Sequence, residues 1–231
     1  MSLPKFVCVL DFEATCDDDV KYFDNEIIEF PSVLLKYNDN DGYVVVSEFQ
    51  KFCKPLKKPL ITKFCNQLTG ITQDQVDNGF NFPDVLRDHH KWLIEETGDD
   101  VIILTCGFWD LGTVLISECK KWGIIPPKTY LRFINIKNDF KKFYKHNKGL
   151  GMATMLNILN IDLEGRHHSG IDDCRNIAKI WQRMITDGFN MTEESVVKID
   201  ATLYKIKHPE RKKEKSLEQM RIARMKKIDA N

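Results

Sequence analysis

Hydrophobic positions along the chain alternate between short uninterrupted runs and helical stripes. Phe6 to Leu10 is wholly apolar and uncharged, the pattern of a strand buried on both faces at the centre of an α/β sheet. Glu26 to Tyr37 is strand-like but interrupted by Pro31, which predicts a bulge there. The turn cluster Asn38 to Gly42 separates it from a further β-rich run, Tyr43 to Phe52, so three consecutive strands open the chain. Ile61 to Leu68 predicts a short helix closed by Gly70, and Asn81 to Thr97 a longer amphipathic one. Val101 to Cys106 is a second interior strand, after which a helical period begins at Leu111. Tyr130 to Ile136 predicts a strand and Met152 to Leu159 a short helix.

Two carboxylates interrupt the first run. Side chains on a strand alternate faces, so Asp11 and Glu13 are expected to point the same way. Like charges at the end of an apolar strand repel and lose solvation, and a divalent cation is the simplest compensation. Asp110 lies where a strand hands over to a helix, the end of an open α/β sheet at which ligands collect.

A fourth carboxylate comes from the stretch 165–181, where His167 with Asp172 and His168 with Asp173 share one spacing. Helical geometry separates them. Asp173, Ile177, Ile180, Trp181 and Met184 form an apolar stripe, whereas Asp172, Asn176, Lys179 and Arg183 form a polar one. Asp173 is therefore expected to face inward, with His168 as its partner by adjacency. Asp172 is read on the wet face, complementing the helix dipole, with Ser169 as cap. Asp11, Glu13, Asp110, Asp173 and His168 suit a two-metal phosphoryl-transfer site, since oxygen ligands select Mg²⁺ or Mn²⁺. His168 titrates in the range of a general base near neutrality.

Composition narrows the setting. The 231 residues carry 34 basic and 34 acidic side chains, so any nucleic-acid footprint must be local. Seven cysteines without a C-x-x-C pair argue against a disulfide framework and a cysteine zinc site. The reading is of a soluble, intracellular protein, cytoplasmic or nuclear, without a secretory signal or membrane partner. Asp17 to Asp19 read as a solvated loop, and His89 and His90 as packing or surface residues. Lysines interleaved with aromatics over 137–148 fit either a nucleic-acid surface or an amphipathic helix with its aromatics in the core.

The order Asp11-x-Glu13, Asp110, His168 and Asp173 resembles the DEDDh group of 3′-to-5′ exonucleases. The words Asp-Phe-Glu-Ala-Thr-Cys at 11–16, Ile-Ile-Glu-Phe-Pro at 27–31, Leu-Thr-Gly-Ile at 68–71, Trp109-Asp110 and His-His-Ser-Gly-Ile-Asp-Asp at 167–173 are similar to the histone-mRNA and enhanced-RNAi type of 3′ exoribonuclease. The resemblance implies an α/β, ribonuclease H-like exonuclease fold with a central mixed five-stranded sheet flanked by helices. It implies metal ligation by Asp11, Glu13, Asp110 and Asp173, two Mg²⁺ or Mn²⁺ ions, and catalysis by His168 and Glu13. Glu13, Ala14 and His168 would also approach the substrate, with Phe12, Thr15, Leu68, Thr69 and Trp109 as further contacts. The expected partners are single-stranded 3′ ends, RNA before DNA, hydrolysed to 5′-mononucleotides. A DNA-directed exonuclease and a catalytically silent RNA-binding adaptor are the alternatives. Residues 1–195 are assigned to the nuclease domain. Residues 196–231 are read as a basic extension, either helical or partly disordered, and the match itself leaves the chain after about residue 200 uncovered.

Overall fold

A computed structural model describes residues 3–18, 24–146, 150–200 and 202. Its centre is β1 (Phe6–Leu10), buried at every position. Val7 and Val9 enter one apolar cluster, and Phe6, Cys8 and Leu10 the other. A strand feeding two cores has no polar face, which is why its sequence shows no alternation.

β1 pairs antiparallel with β3 (Ile27–Asn38) and parallel with β5 (Val101–Thr105). β5 continues parallel to β6 (Arg132–Asn135), which pairs antiparallel with β7 (Val196–Lys198). On the other side, β3 carries the two-residue β2 (Glu13–Ala14) and the hairpin strand β4 (Gly42–Phe52). The mixed sheet thus has seven strands among the described residues, the expected five being extended by the short β2 and β7. Because β7 belongs to the sheet and Ile199 to the core, the folded unit runs past residue 195, the boundary expected from sequence. Asp19 and the basic stretch 203–231 lie outside the described residues.

Helices cover both faces. The side of Phe6, Cys8 and Leu10 packs on α3 (Phe82–Thr97) and α4 (Leu115–Trp122). The side of Val7 and Val9 packs on α5 (Ile136–Phe143), α6 (Met152–Ile158) and α7 (Gly170–Thr186). At the edge, α1 (Lys63–Thr69) is capped by the Thr62 hydroxyl and closed by Gly70 at φ 78°, and α2 (Gln73–Asp77) follows.

Pro31 does not bulge β3. The register shift between β3 and β4 falls at Leu34/Leu35. Pro31 sits where β1 has ended at Leu10, opposite Ser32, and β2 has not yet begun at Glu13, opposite Glu29. The missing N–H therefore faces a gap in the ladder. On α5, Phe140 is buried against Tyr144 and Phe143 packs on Phe189, while exposed Lys142 pairs with Glu194 at 3.1 Å. The aromatics of that stretch pack on the core, Phe140 fully and Phe143 and Tyr144 in part.

Candidate active site

The site lies at the carboxyl-terminal ends of β1 and β5, closed over by the amino terminus of α7. Asp11 and Glu13 do not stand on one unbroken strand as expected, because the chain leaves the ladder at Asp11 and Phe12 and rejoins it as β2. Their carboxylates still converge. Ligand oxygens of Asp11, Glu13 and Asp173 all lie within 4.8 Å of one another.

Asp110 reaches the same place from β5. It opens a π-helical turn, Asp110–Val114, that leads into α4, and such wide turns recur at functional sites. Its Oδ1 accepts the N–H of Phe12 at 3.0 Å, tying the turn to the backbone between Asp11 and Glu13. Asp110 lies outside the three-carboxylate group, yet its charge raises the pKa of both Asp11 and Glu13.

Asp173 is buried in the first turn of α7, on the face its apolar stripe predicts. Its Oδ2 accepts the backbone N–H of His168 at 3.0 Å, and its Oδ1 is buried without a hydrogen-bond partner. His168 adopts φ 67° and stacks on His167 with ring centroids 4.0 Å apart. Gly170 allows the close approach: a Cβ there would meet Pro31 Cγ at 2.7 Å and the Asp11 carbonyl at 2.9 Å.

Two expectations about this helix need correction. Ser169 occupies the N-cap position but makes no side-chain cap bond. Glu29 caps instead, its Oε2 accepting the Gly170 N–H at 3.2 Å and its Oε1 the Gln50 amide at 2.7 Å. Asn176, read on the wet face, is buried because its amide closes the loop at Glu164, accepting from the Glu164 N–H and donating to its carbonyl. Asp172 is half-buried, engaged by the Arg166 N–H and the Arg175 guanidinium.

Crowding sets the electrostatics. Burial, reinforced by neighbouring carboxylates, holds Asp11 well above the usual carboxylate range and pushes Glu13 up to about 9. Burial likewise lifts Asp173 to about 7 and Asp110 to about 6. Lys137, at the start of α5, is the cation that counters Asp11 and Asp110. Burial and the neighbouring His167 and Arg166 lower His168 below its ordinary value. Facing carboxylates with an unpartnered buried oxygen fit a hard divalent cation, since only positive charge relieves both the repulsion and the orphaned acceptor.

The expected substrate contacts divide. Trp109 is 40% exposed, and Phe108 beside it 51%. Phe12 packs edge-on against Phe30 at 4.6 Å, inside the core. Thr15 is buried, exchanging bonds with Glu26. Thr69 donates to the Cys65 carbonyl and accepts from the Ile71 N–H. Ala14 is buried, and the carbonyls of Gln67 and Leu68 receive the Arg166 guanidinium. A groove of about 250 Å³ runs from Thr69 and Gly70 past Arg166 to Glu29 and Asp172. Glu29 and Arg166 carry no role in the sequence reading, and Lys137 enters it only as part of the lysine-aromatic stretch 137–148. A lone charge inside the apolar run Ile27 to Phe30 is the one signal that marks Glu29.

Residues 8–181 match the model of a family described as Exonuclease. The mouse 3′-5′ exoribonuclease 1 is 39% identical over 188 residues, covering 79% of this chain and 54% of that protein. The Xenopus laevis ERI1 exoribonuclease 2 is 36% identical over 223 residues, covering 88% of this chain and 31% of that protein. The chain therefore spans about half or less of these relatives. Among solved structures, the nuclease domain of 3′hExo, a DEDDh family member bound to rAMP, superimposes with a TM-score of 0.77. It is 37% identical and covers 83% of this chain and 98% of that one.

Proposed function

Because this chain belongs to the exonuclease family, alongside the DEDDh 3′-5′ exoribonucleases, we propose that it removes 5′-mononucleotides from the 3′ ends of single-stranded RNA. The observation that carries this reading is the convergence of Asp11, Glu13 and Asp173, with the free Asp173 Oδ1 among them and Asp110 alongside. DEDDh exonucleases depend on divalent metal. Here Asp11, Glu13, Asp110 and Asp173 would hold two Mg²⁺ or Mn²⁺ ions. Bound there, the cations supply Lewis-acid activation of the phosphodiester and neutralise its developing charge.

The chain's own groups do the rest. The His168 imidazole, partly exposed beside Asp173 and held neutral by its surroundings, takes the proton of the attacking water. The left-handed turn at His168 and its N–H bond to Asp173 hold the residue beside that carboxylate. Glu13 both ligates and lines the path of the terminal nucleotide. Ala14, Leu68, Thr69 and the exposed Trp109 border the nucleoside, with Trp109 offering a face for a base to stack on. Phe12 and Thr15 support these positions from the core. All seven cysteines are free thiols, which supports residence in a reducing intracellular compartment. No helix of the described residues is long and apolar enough to cross a membrane.

The test uses RNA and DNA strands of one sequence, labelled at either end, with Mg²⁺ or with chelator. A 3′ label should leave at once as a mononucleotide, and a 5′ label should mark a ladder shortening from the far end. RNA should be consumed faster than DNA, and chelator should stop both. Internal fragments at early times, or turnover in chelator, would overturn the assignment.

A further inference from the structure

We propose that His167, His168 and Asp173 form a second, softer cation site that takes Zn²⁺, and that its occupation silences the nuclease. Ligand atoms of these three residues lie within 4.8 Å of one another. Adjacent side chains on extended backbone diverge. Here, with φ 67° at His168, the two imidazoles lie together as a stack with ring planes 19° apart, and rotation of the exposed His167 ring brings both lone pairs onto one ion.

The donor set decides the metal. Two imidazole nitrogens and one carboxylate oxygen match zinc sites that keep a fourth position open, whereas Mg²⁺ prefers oxygen alone. Tetrahedral zinc needs its ligand atoms about 3.3 Å apart, and the exposed His167 can turn to close that distance. Asp173 keeps one oxygen, Oδ1, without a hydrogen bond, whereas its neighbour Asp172 keeps none, both its oxygens being engaged by Arg166 and Arg175. The Arg166 guanidinium points away, onto the carbonyls of Gln67 and Leu68.

Silencing rests on the function proposed above. Zinc on the His168 imidazole occupies the lone pair that would accept water's proton, and it draws Asp173 from the carboxylate group. Binding itself rests only on the three side chains.

Co²⁺, a spectroscopic stand-in for zinc, would be titrated into the whole chain in saturating Mg²⁺. The expected visible d–d band lacks the thiolate charge-transfer band that a cysteine site would add, is displaced by Zn²⁺, and is lost in His167→Gln. In RNA hydrolysis, with each protein scaled to its own rate in Mg²⁺ alone, His167→Gln should need at least about tenfold more Zn²⁺ than the parent for half-inhibition. An unchanged Co²⁺ spectrum in His167→Gln, a thiolate-type spectrum, or equal zinc sensitivity of the two proteins would each overturn the proposal. Should the parent not hydrolyse RNA, the spectrum still decides whether the site exists.

Discussion

Strands β1 and β3 each contribute to two buried polar clusters, one at their middles and one at the end beyond Leu10, and the clusters are built on opposite terms. In the first, His89 of α3 lies between Ser32 at 2.8 Å and Tyr130 at 2.6 Å, with the Cys8 thiol at 4.0 Å. The Ser32 hydroxyl gives its proton to the Pro31 carbonyl at 2.7 Å. Its oxygen must therefore accept from His89 Nε2–H, leaving Nδ1 to accept from Tyr130. Burial holds the ring neutral, its pKa lowered to about 3. In the second cluster Asp11, Glu13 and Asp173 face one another, and one buried oxygen has no partner. The first cluster is complete without help. The second is complete only with something added, so the fold carries its cost until a cation offsets it.

Substitution should separate the two clusters in opposite directions. Asp173→Asn removes a repelling charge, so release of mononucleotides should fall by about a thousandfold or more, while melting in chelator should occur at no lower temperature than the parent's. A fall in both would place Asp173 among the stabilising groups. His89→Ala should do the reverse. It strands Ser32 and Tyr130 and opens a cavity, at a cost of roughly 3 kcal/mol in denaturant unfolding, with activity per folded molecule unchanged.

Glu29 joins the two regimes, since its oxygens are satisfied as those of His89 are, yet it sits beside Glu13 and Asp173. Glu29→Gln should lower kcat about tenfold with little change in KM, because an amide cannot accept from both Gly170 and Gln50. Adding Gln50→Glu restores one donor and one acceptor across that contact and should recover most of the rate. Failure of the double variant to recover would remove the positioning role.

The smallest effect is on the pH dependence of stability without metal. Glu13, Asp173 and Asp110 titrate near 9, 7 and 6 when folded, above the roughly 4 of unfolded carboxylates. The folded chain thus binds more protons, and stability rises as pH falls through that range. His89 works oppositely, binding its proton near 3 when folded against 6.5 ordinarily, so stability is lost as pH falls below 6.5. Melting temperature in chelator should climb from pH 9 to about 4, with His89 cancelling the contribution of one of the three carboxylates below about 6.5. Saturating Mg²⁺ should erase the climb, and a flat profile in chelator would contradict the shifts.

Much of this was legible in sequence where one physical rule governed a stretch. The uninterrupted run at Phe6 to Leu10 gave the central strand, and the apolar stripe of α7 chose Asp173 over Asp172. Rules of one segment failed where the partner lies far along the chain. Ser169 has the right chemistry for a cap, but Glu29, 141 residues away, already holds the helix. Pro31 is tolerated because of a gap between two other strands, and Asn176 is buried by a loop that no helical period describes. Phe12, Thr15 and Thr69 stand in the expected places with their side chains turned inward.

The π-helical turn after Trp109 makes chain length, and not residue identity alone, part of the site. An ordinary helix advances about 100° per residue, and Asp110–Val114 accommodates one residue more than a regular turn. A chain lacking Gly112 alone would keep every acid and the imidazole in the same order, yet would swing Asp110 away from the Phe12 amide. Two sequences can therefore share the whole signature and differ in whether its third member arrives.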